Sequence, residues 1–144
     1  MRSQFVVAVH LLFFQNDSVL LLLRANTGWK DGFYSVPAGH VENGQSVIAS
    51  AIREAKEETG VDIKPSDLEV VHVMHRKSGD ERVDFFLTVR KWHGQITNNE
   101  PHKCDDLSWF PINSFPENII PYVEQAISNA KRGILYSEFG WDLN

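Results

Sequence analysis

GHVENGQSVIASAIREAKEETGV, residues Gly39–Val61, is the stretch from which the fold is read. A loop rich in Gly and Asn leads into a predicted helix that starts near Ser46. Ser46 suits the N-cap, because its hydroxyl accepts a bond from an unpaired amide of the first turn. Thr59-Gly60 closes the helix, with Gly60 free to take the left-handed conformation that ends many helices. Between them Val47, Ile48, Ala51, Ile52 and Ala55 recur at helical spacing and make one apolar face, which must pack against the rest of the chain.

The opposite face is acidic. Glu54 and Glu58 stand four residues apart and Glu54 and Glu57 three apart, so three carboxylates crowd one side. Like charges at these spacings repel by about 0.2–0.5 kcal/mol per pair. Two of them also fall in the last turn, where the helix dipole disfavours negative charge by about 0.3–1 kcal/mol each. Arg53 and Lys56 are close but too few to neutralise all three. One reading is a solvated acidic face. The other, favoured by the glycine-rich approach loop, is an oxygen-ligand site for a hard divalent cation such as Mg²⁺ or Mn²⁺.

The segment is similar to the signature of the Nudix hydrolases: Gly, five residues, Glu, seven residues, then Arg-Glu-apolar-x-Glu-Glu-x-Gly-apolar. Gly39, Arg53, Glu54, Ala55, Glu57, Glu58, Gly60 and Val61 match, eight of nine positions, and Gln45 stands where the family has Glu. Strand-like segments on both sides extend the resemblance over nearly the whole chain. It implies an α/β/α sandwich around a curved mixed sheet, and hydrolysis of a nucleoside diphosphate linked to another moiety, with water attacking one phosphorus. Carried over residue by residue, it implies Glu54, Glu57 and Glu58 as metal-binding carboxylates. Ala38, just before the box glycine, would add its main-chain carbonyl, and Arg53 would orient a box carboxylate. Glu100 resembles the loop acid that serves some members as general base; Asp105, Asp106 and the box glutamates compete for that role. Gln45 keeps the hydrogen-bonding reach of Glu without its charge, so a salt bridge to Arg53 becomes a neutral contact.

A chain of 144 residues is expected to form one domain with a substantial core. The net charge of −5 argues against a general nucleic-acid or membrane-surface binder. The single cysteine, Cys104, excludes an internal disulfide and offers no zinc cluster. The apolar run Phe5–Phe14 is too short to span a bilayer and reads as a buried strand, so the expected location is cytoplasmic.

Taken in order, Gln4–Gln15 and Val19–Leu23 flank the turn pair Asn16-Asp17 and predict an antiparallel hairpin. Ala25–Asp31 reads as a loop and Phe33–Val36 as a short strand entering Pro37-Ala38-Gly39. Beyond the helix, Leu68–His75, Arg82–Trp92 and Leu107–Phe110 read as strands, with Lys77–Glu81 as a turn. Ile119–Arg132 has the pattern of an amphipathic helix stopped by Gly133. The tail Ile134–Asn144, with Tyr136, Phe139 and Trp141, docks either on the body or on a second subunit, which leaves a homodimer open. Strands around one central helix, with another helix at the end, make an α/β class.

Specificity lies outside the box. Arg24 is either a solvent-facing charge or a contact to substrate phosphate. His40 is either an exposed loop residue or a substrate contact, and Arg82 and His75 are candidates for reaching phosphates. Phe33, Tyr34, Phe85 and Trp29 are each either core or a stacking platform for a base. A small-molecule nucleotide is the expected ligand, and the compact size points to a (deoxy)nucleoside triphosphate. The competing readings are a nucleotide sensor with a decayed site, marked by Gln45, and an isomerase of isoprenoid diphosphates.

Overall fold

The computed structural model describes residues 1–142. Eight strands and two helices follow in the order β1 (Val6–Gln15), β2 (Ser18–Arg24), β3 (Tyr34–Ser35), β4 (Ala38–His40), α1 (Val47–Thr59), β5 (Leu68–Ser78), β6 (Asp80–Val89), β7 (Cys104–Pro111), α2 (Pro121–Lys131) and β8 (Tyr136–Phe139). β1 and β6 run parallel, as do β5 and β8, and the other pairings are antiparallel, so the sheet is mixed.

The β1–β2 hairpin turns on Asn16 and Asp17, both at positive φ (49° and 62°), as a two-residue loop between twisted strands requires. The two strands stay paired only at Phe14–Val19 and Gln15–Ser18. Beyond that they diverge. β4 takes over the edge of β1 at Ala8–His10, while β2 is flanked by β3 and β7. The gap opened by this divergence is where the charged side chains of α1 gather.

Both faces of β1 are buried, which explains its nearly unbroken apolar sequence. Val9, Leu11 and Phe13 pack with Ala51 and Ala55 of α1, together with Leu20, Leu87 and Val89. Leu12 packs on the other side with Met74, Phe86 and α2 residues Tyr122, Val123, Ala126 and Ile127. One helix on each face makes the expected α/β/α sandwich. Neither helix is long and apolar enough to cross a membrane.

α1 forms as its sequence predicts. Ser46 Oγ accepts from the Ala49 amide at 3.0 Å, and Gly60, at φ 80°, donates its N–H to the Lys56 carbonyl. Elsewhere the elements shift. Lys77–Glu81 is mostly strand: β5 runs to Ser78 and β6 starts at Asp80, because Gly79 alone, at φ 79°, reverses the chain. β6 correspondingly ends at Val89, short of Trp92. β4 is a strand of three residues inside a predicted loop, held by its pairing with β1. The tail docks on its own body: β8 pairs with β5, His72 bonds both the Ile134 carbonyl and Ser137 Oγ at 2.7 Å, and Trp141 Nε1 donates to the His75 carbonyl. Leu143 and Asn144, the end of the predicted tail, lie outside the described residues.

Candidate active site

β4 is a partition, because a strand sends alternate side chains to opposite faces. Ala38, Gly39 and His40 stand opposite His10, Val9 and Ala8 of β1. Gly39 faces the α1 side with Val9; Ala38 and His40 face the α2 side with His10. The carboxyl group of Glu54 fills the space that a side chain at Gly39 would occupy, so any larger residue here must displace that carboxyl. The Pro37 carbonyl accepts from Leu11 N and the Val41 amide donates to Val7 O. By the alternation of an antiparallel ladder, the N–H and C=O of Ala38 therefore point to the outer edge of β4, into the gap. There the Ala38 N–H donates to Glu58 Oε2 at 2.9 Å.

On the α1 side lies a cleft of about 520 Å³. Five carboxylates line it (Glu42, Glu54, Glu57, Glu58 and Glu100) against three cations (Arg24, Arg53 and Lys103), so negative charge is in excess. Arg53 is the hub. Its guanidinium donates to Glu54 Oε1 at 2.7 Å, Glu57 Oε2 at 3.4 Å, the His40 carbonyl at 3.1 Å and Gln45 Oε1 at 3.0 Å. Burial pushes the Glu54 carboxyl above its ordinary range, with Arg53 pulling the other way. Glu58 rises well above it, first through burial and then through the negative charges of Glu54 and Glu100. Among the described residues no three acidic, His or Cys side chains converge on one point as they stand, since Glu54 turns to Arg53 and Glu58 to the Ala38 amide. The donor set nevertheless suits a hard cation: carboxylate oxygens on one cleft, two of them carrying a charge that their surroundings penalise.

On the α2 side of β4 a second cleft of about 480 Å³ is lined by Arg24, Trp29, His40, Arg76, Arg82 and Tyr122, with His10 also bordering it. Arg24 and Ala38 line both clefts, so the two adjoin. Arg24 is held by the Trp29 carbonyl and Thr27 Oγ1, both at 2.9 Å, and lies 5.1 Å from the Trp29 ring centre. Arg82 is paired with Asp80 and approaches His40 Nε2 at 3.3 Å. Burial and the Arg82 charge hold the His40 ring below its ordinary pKa.

A family model described as the NUDIX domain matches residues 4–129. The chain belongs to the Nudix family. It is 35% identical over 103 residues to an uncharacterized Nudix hydrolase, YvcI, of Bacillus subtilis, covering 68% of this chain and 61% of that protein. It is 30% identical over 113 residues to an 8-oxo-dGDP phosphatase of Homo sapiens, covering 77% of this chain and 33% of the other. The match thus spans less than two thirds of either relative. A MutT NUDIX hydrolase structure from Burkholderia pseudomallei superposes with a TM-score of 0.80 at 20% identity, over 88% of this chain and 98% of that one.

In this Nudix domain the box residues Arg53, Glu54, Glu57 and Glu58 share the acidic cleft with Ala38, Glu100 and Arg24. His40 and Arg82 meet in the second cleft. Phe33 lies outside both, exposed at the surface with Lys30 over its ring. Tyr34 is tied to Asp106 and packs on Phe110, Phe85 packs in the core beneath α1, and His75 sits between Phe5 and Trp141. Trp29 is the one aromatic of that group at a cleft. Sequence reasoning missed the buried cluster of His10, Arg76 and Asp84. Its signal was strand parity: with Val83, Phe85, Leu87 and Val89 on one face, Asp84 must lie on the other, which is also buried.

Proposed function

We propose that this chain hydrolyses a phosphoric anhydride bond in a nucleoside diphosphate linked to another moiety. The acidic cleft is the hydrolytic centre, and the adjoining cleft seats the rest of the substrate. The observation that carries the reading is the joining of the two clefts at Arg24 and Ala38. A polyphosphate placed at the Glu54–Glu58 cluster extends naturally into a cavity lined by arginines, histidines and an exposed tryptophan.

Glu54, Glu57, Glu58 and the Ala38 carbonyl would hold Mg²⁺ or Mn²⁺, which would supply charge neutralisation and a more acidic water. Arg53 fixes the orientation of Glu54 and Glu57 and locks the loop through the His40 carbonyl. Glu100, in the loop tied to the end of α1 by the Asn99 N–H donating to the Glu58 carbonyl, takes the proton of the attacking water; Asp106 is less suited because Tyr34 and Ser108 already occupy its oxygens. Arg24 meets the phosphates where the clefts join. Arg82 and His40 contact the far part of the substrate. A (deoxy)nucleoside triphosphate fits a cavity pair of this size, and the substrate named for the human relative is also a nucleoside phosphate.

The test is a panel of nucleotides incubated with Mg²⁺ and assayed for phosphate and pyrophosphate release. Turnover of at least one member is expected. Measurable binding with no turnover on any of them overturns the hydrolase reading in favour of a sensor.

A further inference from the structure

The segment between β6 and β7 carries Glu100 to the acidic cleft. Its first half lies along the C-terminal end of α1. His93 and Asp62 exchange backbone bonds at 2.9 and 3.0 Å. The Thr97 N–H donates to the Thr59 carbonyl at 3.0 Å and the Asn99 N–H to the Glu58 carbonyl at 3.1 Å. Asn99 Nδ2 adds a bond to the Lys56 carbonyl at 3.4 Å. The last carbonyls of a helix have no partner within it, and here the segment supplies the donors. It is thereby fastened to α1 as far as Asn99.

Glu100 follows at once, and both polar groups of its backbone are held. The Lys103 N–H donates to the Glu100 carbonyl at 2.9 Å, closing a four-residue turn with Pro101 in second place. Proline also keeps the residue before it out of the helical region, which narrows the conformations open to Glu100. The turn is tied to the loop after β2, where the Ala25 N–H donates to the Lys103 carbonyl at 3.0 Å and Asn26 Nδ2 to the His102 carbonyl at 2.9 Å. The Glu100 N–H is held by a side chain. Asn98 Oδ1 accepts from it at 3.2 Å, while Asn98 Nδ2 donates to the Cys104 carbonyl at 2.7 Å. One amide group thus spans the turn from its entrance to the first residue of β7.

We propose that Asn98 is a positioning residue for Glu100, fixing the peptide from which its carboxylate reaches into the cleft. Asn is suited because one side chain carries both the acceptor and the donor that the turn requires. The metal-binding carboxylates stand on α1, and the fastened segment joins them to the proton acceptor, so Asn98 sets the last step of that link. A small misplacement of a catalytic group is expensive, and the cost falls on turnover rather than on substrate binding. This rests on the reading of Glu100 as the group that takes the proton of the attacking water.

The test is a double-mutant cycle on the best nucleotide of the panel with saturating Mg²⁺. Asn98 is exposed, so Asn98→Ala opens no cavity, and circular dichroism and Tm check that the variant is folded. It should lower kcat about tenfold and leave KM within about twofold. Asn98→Ser, whose hydroxyl still accepts from an amide two residues on, should lose less and serves as the second variant. In a Glu100→Gln background, itself slow, Asn98→Ala should cause no further loss. An equal loss in both backgrounds means a general loosening of the loop and overturns this proposal alone, as does an unchanged kcat in Asn98→Ala. Full activity in Glu100→Gln contradicts the underlying reading and overturns the proposal with it.

Discussion

Arg53 Nε donates to Gln45 Oε1 at 3.0 Å, across eight residues of chain. The one position where the chain departs from its family's box thus braces the arginine that orients Glu54. A neutral carbonyl oxygen suffices for that bond. Gln45→Glu should therefore alter turnover by less than about tenfold, or 1.4 kcal/mol in the barrier. Steady-state kinetics check this. A gain of a hundredfold or more would mean that Gln45 had disabled a working site.

Gly39 and Glu54 are the second coupled pair. A methyl group at Gly39 collides with the Glu54 carboxyl, so Gly39→Ala forces Glu54 off Arg53 and out of the cleft. A loss of about a hundredfold in kcat is expected, since small misplacements of catalytic groups are expensive. Normal turnover in this variant would show that the position of Glu54 does not matter.

The metal-free protein should lose stability as pH rises. Burial and the charges of Glu54 and Glu100 lift the folded-state pKa of Glu58 above its ordinary 4.5. For a raised carboxyl, the folded state binds the extra proton, so its stabilisation is present below the ordinary value and disappears as pH climbs through the raised one. Glu58→Gln should therefore raise the Tm in EDTA at pH 7 to 8. Added Mg²⁺ should raise the Tm of wild type and leave the variant nearly unmoved. Thermal scans with and without metal decide it.

Asp84 has the opposite sign. Its carboxyl is held at about 2, below the ordinary 3.8, so its contribution is present above the ordinary value and lost as pH falls through about 2. That depression corresponds to about 2 kcal/mol. Asp84→Asn strands the buried Arg76 charge and should cost about 3–5 kcal/mol at neutral pH. The variant should also lose part of the decline in stability that wild type shows below about pH 4. Urea unfolding at several pH values measures both.

What the sequence disclosed and what it withheld follow from separation along the chain. α1 was legible because its cap, stop and apolar period all lie within Ser46–Gly60, and the structure reproduces them. The α1 carboxylates were legible because their crowding is a local property. β4 was not: three residues carry no period, and their strand state comes from β1, about thirty residues earlier in the chain. The His10–Asp84 contact joins residues 74 apart. Only the register of β1 on β6 and β6 on β5 brings His10, Asp84 and Arg76 to one face. The two-cleft arrangement was equally invisible, since it depends on β4 separating Gly39 from its neighbours Ala38 and His40.

The Glu54–Glu58 cluster is proposed as a metal-dependent hydrolytic centre. Its most direct test is the rate of phosphate or pyrophosphate release by wild type and Glu58→Gln, side by side, on the best nucleotide of the panel with saturating Mg²⁺. The expected result is a drop of at least about a hundredfold in the variant, with the far-ultraviolet circular dichroism unchanged. Full activity in Glu58→Gln would contradict it.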